Sequence, residues 1–189
     1  MRLIASACYG GALRQVSELR EQFVGQFRAE CIHLLNQSFS RITYCVMQLD
    51  AAQLWWQPAA GQNSVGALLR HLAGNLQQWA VDGVLDQPGF RDRNAEFHAE
   101  AVESAEVLLQ RLEQVIERAR EVLSALGDDD FVQTRSIQGF EVTVLGAIMH
   151  TVPHLVGHTH QIVTLTRMQL GANYQFHWDS AVSGGSVPL

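Results

Sequence analysis

Apolar residues that return every three or four positions run through most of this chain, and that period admits helices packed face to face and little else. From about Glu18 to Leu49 the series Phe23, Phe27, Cys31, Leu34, Leu35, Phe39, Ile42, Val46 and Leu49 predicts one long amphipathic helix. Ser64 stands as an N-cap before VGALLRHLAGNLQQW, the second helix. A third is expected from about Ala101 to Leu126. Its buried stripe would be Val102, Leu108, Leu109, Leu112, Val115, Ile116, Ala119, Val122 and Leu123, with Gly127 and Asp128 to Asp130 ending it. The fourth extends from about Thr143 to Leu170 and stops at Gly171, a residue suited to a left-handed C-terminal cap. Between the last two, FVQTRSIQGFEV is β-prone around a Gln138-Gly139 turn. The expected fold class is therefore all-α, a four-helix bundle with a short β-hairpin between helices three and four.

Composition narrows the partners. A chain of 189 residues fits one domain with one core. It carries a net charge of −6 with 13 arginines and no lysine, and no basic stripe follows any predicted helix, which argues against nucleic acid. No apolar run reaches the roughly 18–20 residues that cross a bilayer, so no membrane role is expected. The apolar part of MRLIASACYGGAL is short for an export signal. Cys8, Cys31 and Cys45 are odd in number and form no CxxC pair, which fits a reducing cytoplasm.

The chemistry concentrates in helix four, where His150, His154, His158 and His160 crowd into MHTVPHLVGHTHQIVTLTR. A step of four residues on a helix turns by about 40° beyond a full circle and rises about 6 Å, so His154 and His158 can converge on one ligand. His160 lies about 160° around the helix from His158 and points elsewhere. His71 sits among Leu68, Leu69, Leu72 and Leu76 near the apolar face of helix two. Facing helices are where bundles build their ligand sites, and His71, His154 and His158 together supply three neutral imidazoles. That set suits zinc, nickel, iron or manganese and leaves a position open. Gln161 shares the face and could orient an imidazole or bond a ligated water. His150 stays ambiguous between replacing His158 and a supporting bond.

Plainer readings stand beside these. A single histidine on an apolar face is more often a satisfied core residue than a ligand, and His33 and His98 read as ordinary. Trp55, Trp56 and Trp79 read as core or pocket wall. The polar segment DGVLDQPGFRDRNAEF is a surface loop, and its Arg91 and Arg93 are either a solvated face or a bidentate clamp for a substrate carboxylate. Pro153 either kinks helix four and aims His154, or marks a later helix start.

SVGALLRHLAGNLQQW, then RDRNAEF, then TVLGAIMHTVPHLVGHTHQIVTLTR, in this order and separation, resemble the DinB/YfiT-like family of metal-dependent four-helix proteins, over about Gln22 to Leu170. The resemblance implies one divalent metal held by His71, His154 and His158, and a homodimer. Residues 1–20 fall outside it as an N-terminal extension, expected to be disordered or a start-site artefact. Residues 21–172 make the bundle and 173–189 a polar tail that could lie across a partner subunit. His160 stands where the family commonly has glycine. Relatives include transferases that use low-molecular-weight thiols and a thiol-dependent isomerase. The resemblance therefore implies a transferase in which the metal favours the thiolate of a small-thiol cofactor and directs it at a small-molecule substrate. Hydrolysis at the same ion is an alternative, its general base to come from Glu96, Glu141 or another loop carboxylate. A non-catalytic structural or stress-response bundle is the other.

Overall fold

The computed structural model describes residues 2–98 and 103–176. Four long helices form the bundle: α1 (Arg2–Val46), α3 (Val65–Leu76), α5 (Ala105–Ala125) and α6 (Val144–Leu170), with short α2 (Ala51–Leu54) and α4 (Arg93–His98) in the connections. The principal contacts run α1 to α6, α6 to α3, α3 to α5 and α5 to α1, so the four close into a ring. Leu35, Ile42, Leu68, Leu72, Leu112 and Leu155 are among the fully buried side chains at its centre.

Local chemistry sets the helix starts. Ser64, Ser104 and Thr143 each adopt extended backbone and accept a hydrogen bond from the N–H three residues on. Asp50 and Gln53 close a reciprocal capping box ahead of α2. α3 passes without a break into a π-helical segment, Gln77–Asp82. The hairpin falls where the β-prone residues stand, with β1 (Thr134–Ile137) antiparallel to β2 (Phe140–Thr143). Gln138 and Gly139 both have positive φ, 55° and 81°, the two-residue turn that matches strand twist. The hairpin docks just past the π segment: Ile137 fills the space a Cβ would need at Gly83, and Arg135 Nε donates to the Val84 carbonyl at 3.0 Å.

Several expectations shift. α1 starts at Arg2 rather than near Glu18, and at about 1.5 Å per residue it spans roughly 67 Å against about 40 Å for α6. It therefore outruns its partners, and Phe23, expected on the buried stripe, is 73% exposed, while Phe27 one turn on packs edge to face on Phe131. The expected surface loop contains α4. Val102 and residues 177–189 lie outside the described residues, as does any test of the tail. Pro153 lies inside an unbroken α6, which removes the later-start reading. Gly171 has positive φ, 55°, but a ψ of −121° takes it out of the expected left-handed helical cap. Among the described residues no helix is long and apolar enough to cross a membrane.

Candidate metal centre

α3 and α6 lie side by side, and their register is fixed by a buried polar tie. Thr151 Oγ1 donates to Asn75 Oδ1 at 2.8 Å, one turn from His71 on α3 and one turn from His154 on α6. Both ends are buried, so slippage of either helix would leave two polar groups unpaired in the core. The tie brings the two histidines together edge on, with His71 Nε2 2.9 Å from His154 Nε2. His158 joins them one turn along, its ring centroid 4.4 Å from that of His154 and 5.1 Å from that of His71. One nitrogen from each of the three lies within 4.8 Å of the others. Nitrogens sharing one tetrahedral ion stand roughly 3.3 Å apart at bond lengths of about 2.0–2.1 Å, so this set could hold a metal ion.

The outer nitrogens are spoken for. Glu96 Oε2 of α4 and Arg91 Nη2 each lie 3.1 Å from His71 Nδ1; in the tautomer with the proton on Nδ1 the carboxylate accepts it and Nε2 keeps its lone pair inward. Arg91 grips both oxygens of the same carboxylate along one edge, Nε to Oε1 at 2.6 Å and Nη2 to Oε2 at 2.9 Å. Its Nη1 donates to Gln78 Oε1 at 3.0 Å, and Gln138 at the hairpin tip donates to that oxygen as well. Gln161 Oε1 lies 2.8 Å from His158 Nδ1 and accepts its proton, again freeing Nε2. His71 is buried, whereas His154 and His158 are half-buried, so the cluster opens to one side.

Burial favours the neutral form of His154 and His71. Burial, then the neighbouring His158 and His71, push His154 from the ordinary 6.5 down to about 4. Burial also lowers His71, although Glu96 pulls it back up. Neutral imidazole is the form that ligates a metal.

His150 stays out of the set. It is exposed, lies 4.1 Å by centroid from Trp79 in the π segment, and is nearly parallel to His154 at 5.9 Å. Trp55 packs beneath the Arg70 guanidinium at 4.6 Å, and Trp56 is 37% exposed. Arg93 is exposed at the first residue of α4, and Glu141 is exposed on β2. Arg91 does act as a bidentate clamp, but on the protein's own Glu96. That pairing has no signature in the sequence beyond five residues of separation in a loop.

Residues 22–180 match a family described as "Protein of unknown function (DUF1572)". The chain belongs to this family. The fold is similar to that of three solved structures, two of them DinB-like proteins. A conserved protein from Enterococcus faecalis is 15% identical with a TM-score of 0.65, over 76% of this chain and 96% of that one. A DinB-like protein from Bacillus cereus is 18% identical with a TM-score of 0.55, over 70% and 87%. The DinB-like protein YjoA from Bacillus subtilis is 12% identical with a TM-score of 0.59, over 80% and 99%. Among curated proteins nothing matches.

Proposed function

We propose that the chain is a metal-dependent enzyme whose ion is held by His71, His154 and His158, and that it transfers a low-molecular-weight thiol to a small electrophilic substrate. The observation that carries the metal reading is the convergence of three ring nitrogens within 4.8 Å on the open side of an otherwise packed bundle. A bound divalent ion of the zinc, nickel, iron or manganese class would act there as a Lewis acid that favours the thiolate of the small thiol. The thiol part rests on the DinB/YfiT likeness.

The protein's own residues prepare this site. Glu96 and Gln161 take the Nδ1 protons of His71 and His158 and so aim both Nε2 lone pairs at one point. Arg91 holds Glu96 in place through both carboxylate oxygens. Asn75 and Thr151 hold the two helices in register. Hydrolysis is less well served: Glu96 has both oxygens engaged behind His71, and Glu141 is exposed on β2, so neither stands as a general base at the cluster. The reading extends to a cytoplasmic homodimer, with Cys31 and Cys45 buried as free thiols in keeping with a reducing compartment.

Elemental analysis of the purified untagged protein beside His71→Ala and His154→Ala tests the site. Near one ion per chain, lost in both variants, is the expected result. No ion after reconstitution with zinc, nickel or manganese would leave a structural bundle. Small thiols should then perturb the spectrum of the cobalt-substituted protein, and failure of all of them would sink the transferase reading while leaving the metal site intact.

A further inference from the structure

α1 outruns the bundle at its N-terminal end, and three contacts fix the rotation of the helix where it leaves. Arg20 Nη2 donates to Asp129 Oδ1 at 2.5 Å, Arg28 Nη2 donates to the Leu126 carbonyl at 2.7 Å, and Phe27 packs on Phe131. Val16, Leu19 and Phe23 stand about a quarter turn round from that side and are 64%, 59% and 73% exposed. Apolar residues scattered singly over a surface need no explanation, but these keep a register. Their three and four residue steps continue back along the sequence through Ala12, Tyr9 and Ala5, so residues 5–23 carry an apolar residue at every a and d position of a heptad pattern. Gln26 and Glu30, at the next d and a, end the run.

The charges of this stretch stand off the seam. Arg14, Glu18 and Glu21 fall at the outer c and f positions, where Arg14 Nε pairs with Glu18 at 3.1 Å on the side turned to water. Gln15 and Gln22 flank the seam at g, and Arg20, at e, is already held by Asp129. A helix that has left its bundle draws nothing from the core, and an isolated helix of this length is marginal in water, so burial of the seam is what would stabilise it.

We propose that this N-terminal arm of α1 pairs with the same arm of a second copy of the chain as a short antiparallel coiled coil. With position 14 of both chains at the two-fold axis, Ala5 falls opposite Phe23, Tyr9 opposite Leu19 and Ala12 opposite Val16, so the smallest seam residue meets the bulkiest and successive layers can interdigitate. Parallel pairing would instead set Ala against Ala and Phe against Phe, and would oppose Glu30 to Glu30 at the next layer. The contact is about 27 Å long and buries on the order of 1,000 Å² in total, near the low end for a specific interface, so the dimer should dissociate in the micromolar range. The seam lies outside the histidine cluster and does not depend on the metal reading; it gives the homodimer proposed above an interface.

Sedimentation velocity of the full chain over a concentration series should show a monomer–dimer equilibrium. Leu19→Glu and Phe23→Glu should each weaken it about tenfold or more, because a charge would be buried unpaired in the seam, whereas Glu18→Gln should leave it unchanged. Near-ultraviolet circular dichroism, which reports the tryptophans of the bundle, should match the parent in all three. Spin labels on Gln26→Cys in a Cys8→Ser background should lie about 35–40 Å apart across an antiparallel pair, against about 10 Å across a parallel one. A dimer undiminished by both glutamate variants would overturn the assignment and leave a homodimer built on another face. A monomer at every concentration would remove the homodimer as well. A short label distance, a dimer that forms only after removal of residues 177–189, or a monomer that binds phosphatidylglycerol vesicles in place of a second copy would each overturn the arm pairing.

Discussion

Glu96 does its work through a single proton. With Oε2 on His71 Nδ1 and both oxygens in the Arg91 fork, it fixes the ring's tautomer and orientation together. Glu96→Gln keeps the shape but removes the charge, and metal affinity should fall about 10–100-fold, read by competition with a chelator. Retained affinity would show that His71 needs no carboxylate behind it. His154 governs the acid behaviour of the metal-free protein. Its folded-state value of about 4 lies below the ordinary 6.5, so the unfolded chain takes the proton first and folded stability is lost as pH falls. This contribution to stability should be flat above about 6.5 and decline through the window down to about 4. His71, also lowered, adds to the same slope. Denaturant midpoints of metal-free protein across that window check the sign, and His154→Gln should shallow the decline. The three histidines that cluster were legible in the sequence because helical phase and a leucine-flanked histidine are local patterns. Arg91 was not, since its choice between a substrate carboxylate and Glu96 depends on how the loop folds.

Among the elements, α3 shows how closely helix and site are joined. Gly74 stands one turn after His71, and a Cβ there would collide with Glu96 Oε1 and lie 3.1 Å from Arg91 Nε. On an isolated helix Gly→Ala gains about 1 kcal/mol. Here the added methyl group meets a carboxylate that Arg91 holds in place, so Gly74→Ala should weaken metal binding while helical content by circular dichroism is unchanged. Equal metal affinity would mean that Glu96 can swing aside freely. The π-helical continuation of α3 carries Gln78, which joins Arg91 to Gln138 at the hairpin tip. The hairpin therefore braces the support of His71 from a distance of 60 residues in sequence. Caps and turn were legible, because Ser64 and the Gln138-Gly139 pair act on neighbours within three residues. The π segment was not: its apolar residues read equally well as ordinary helix, and only backbone bonds spanning five residues, such as Gly83 N–H to the Gln78 carbonyl at 2.9 Å, distinguish it.

For the molecule as a whole, a metal bound only by the folded form adds stability by mass action. Zinc at about 100 times its dissociation constant should stabilise the native protein by about 2.7 kcal/mol and raise the melting temperature, with no rise in His71→Ala. An equal rise in that variant would place the ion elsewhere. The apolar period determined four long helices and hence a bundle, because burying a stripe on each leaves few other arrangements. The spacing of His154 and His158 likewise determined a shared face, since 3.6 residues per turn is a property of the backbone alone. Which helices are neighbours, that Phe23 lies beyond the core, and that Glu96 and Arg91 stand behind His71 were decided only by the tertiary structure. These are contacts between residues distant in sequence, and their free energy depends on the simultaneous packing of surfaces that no local window contains.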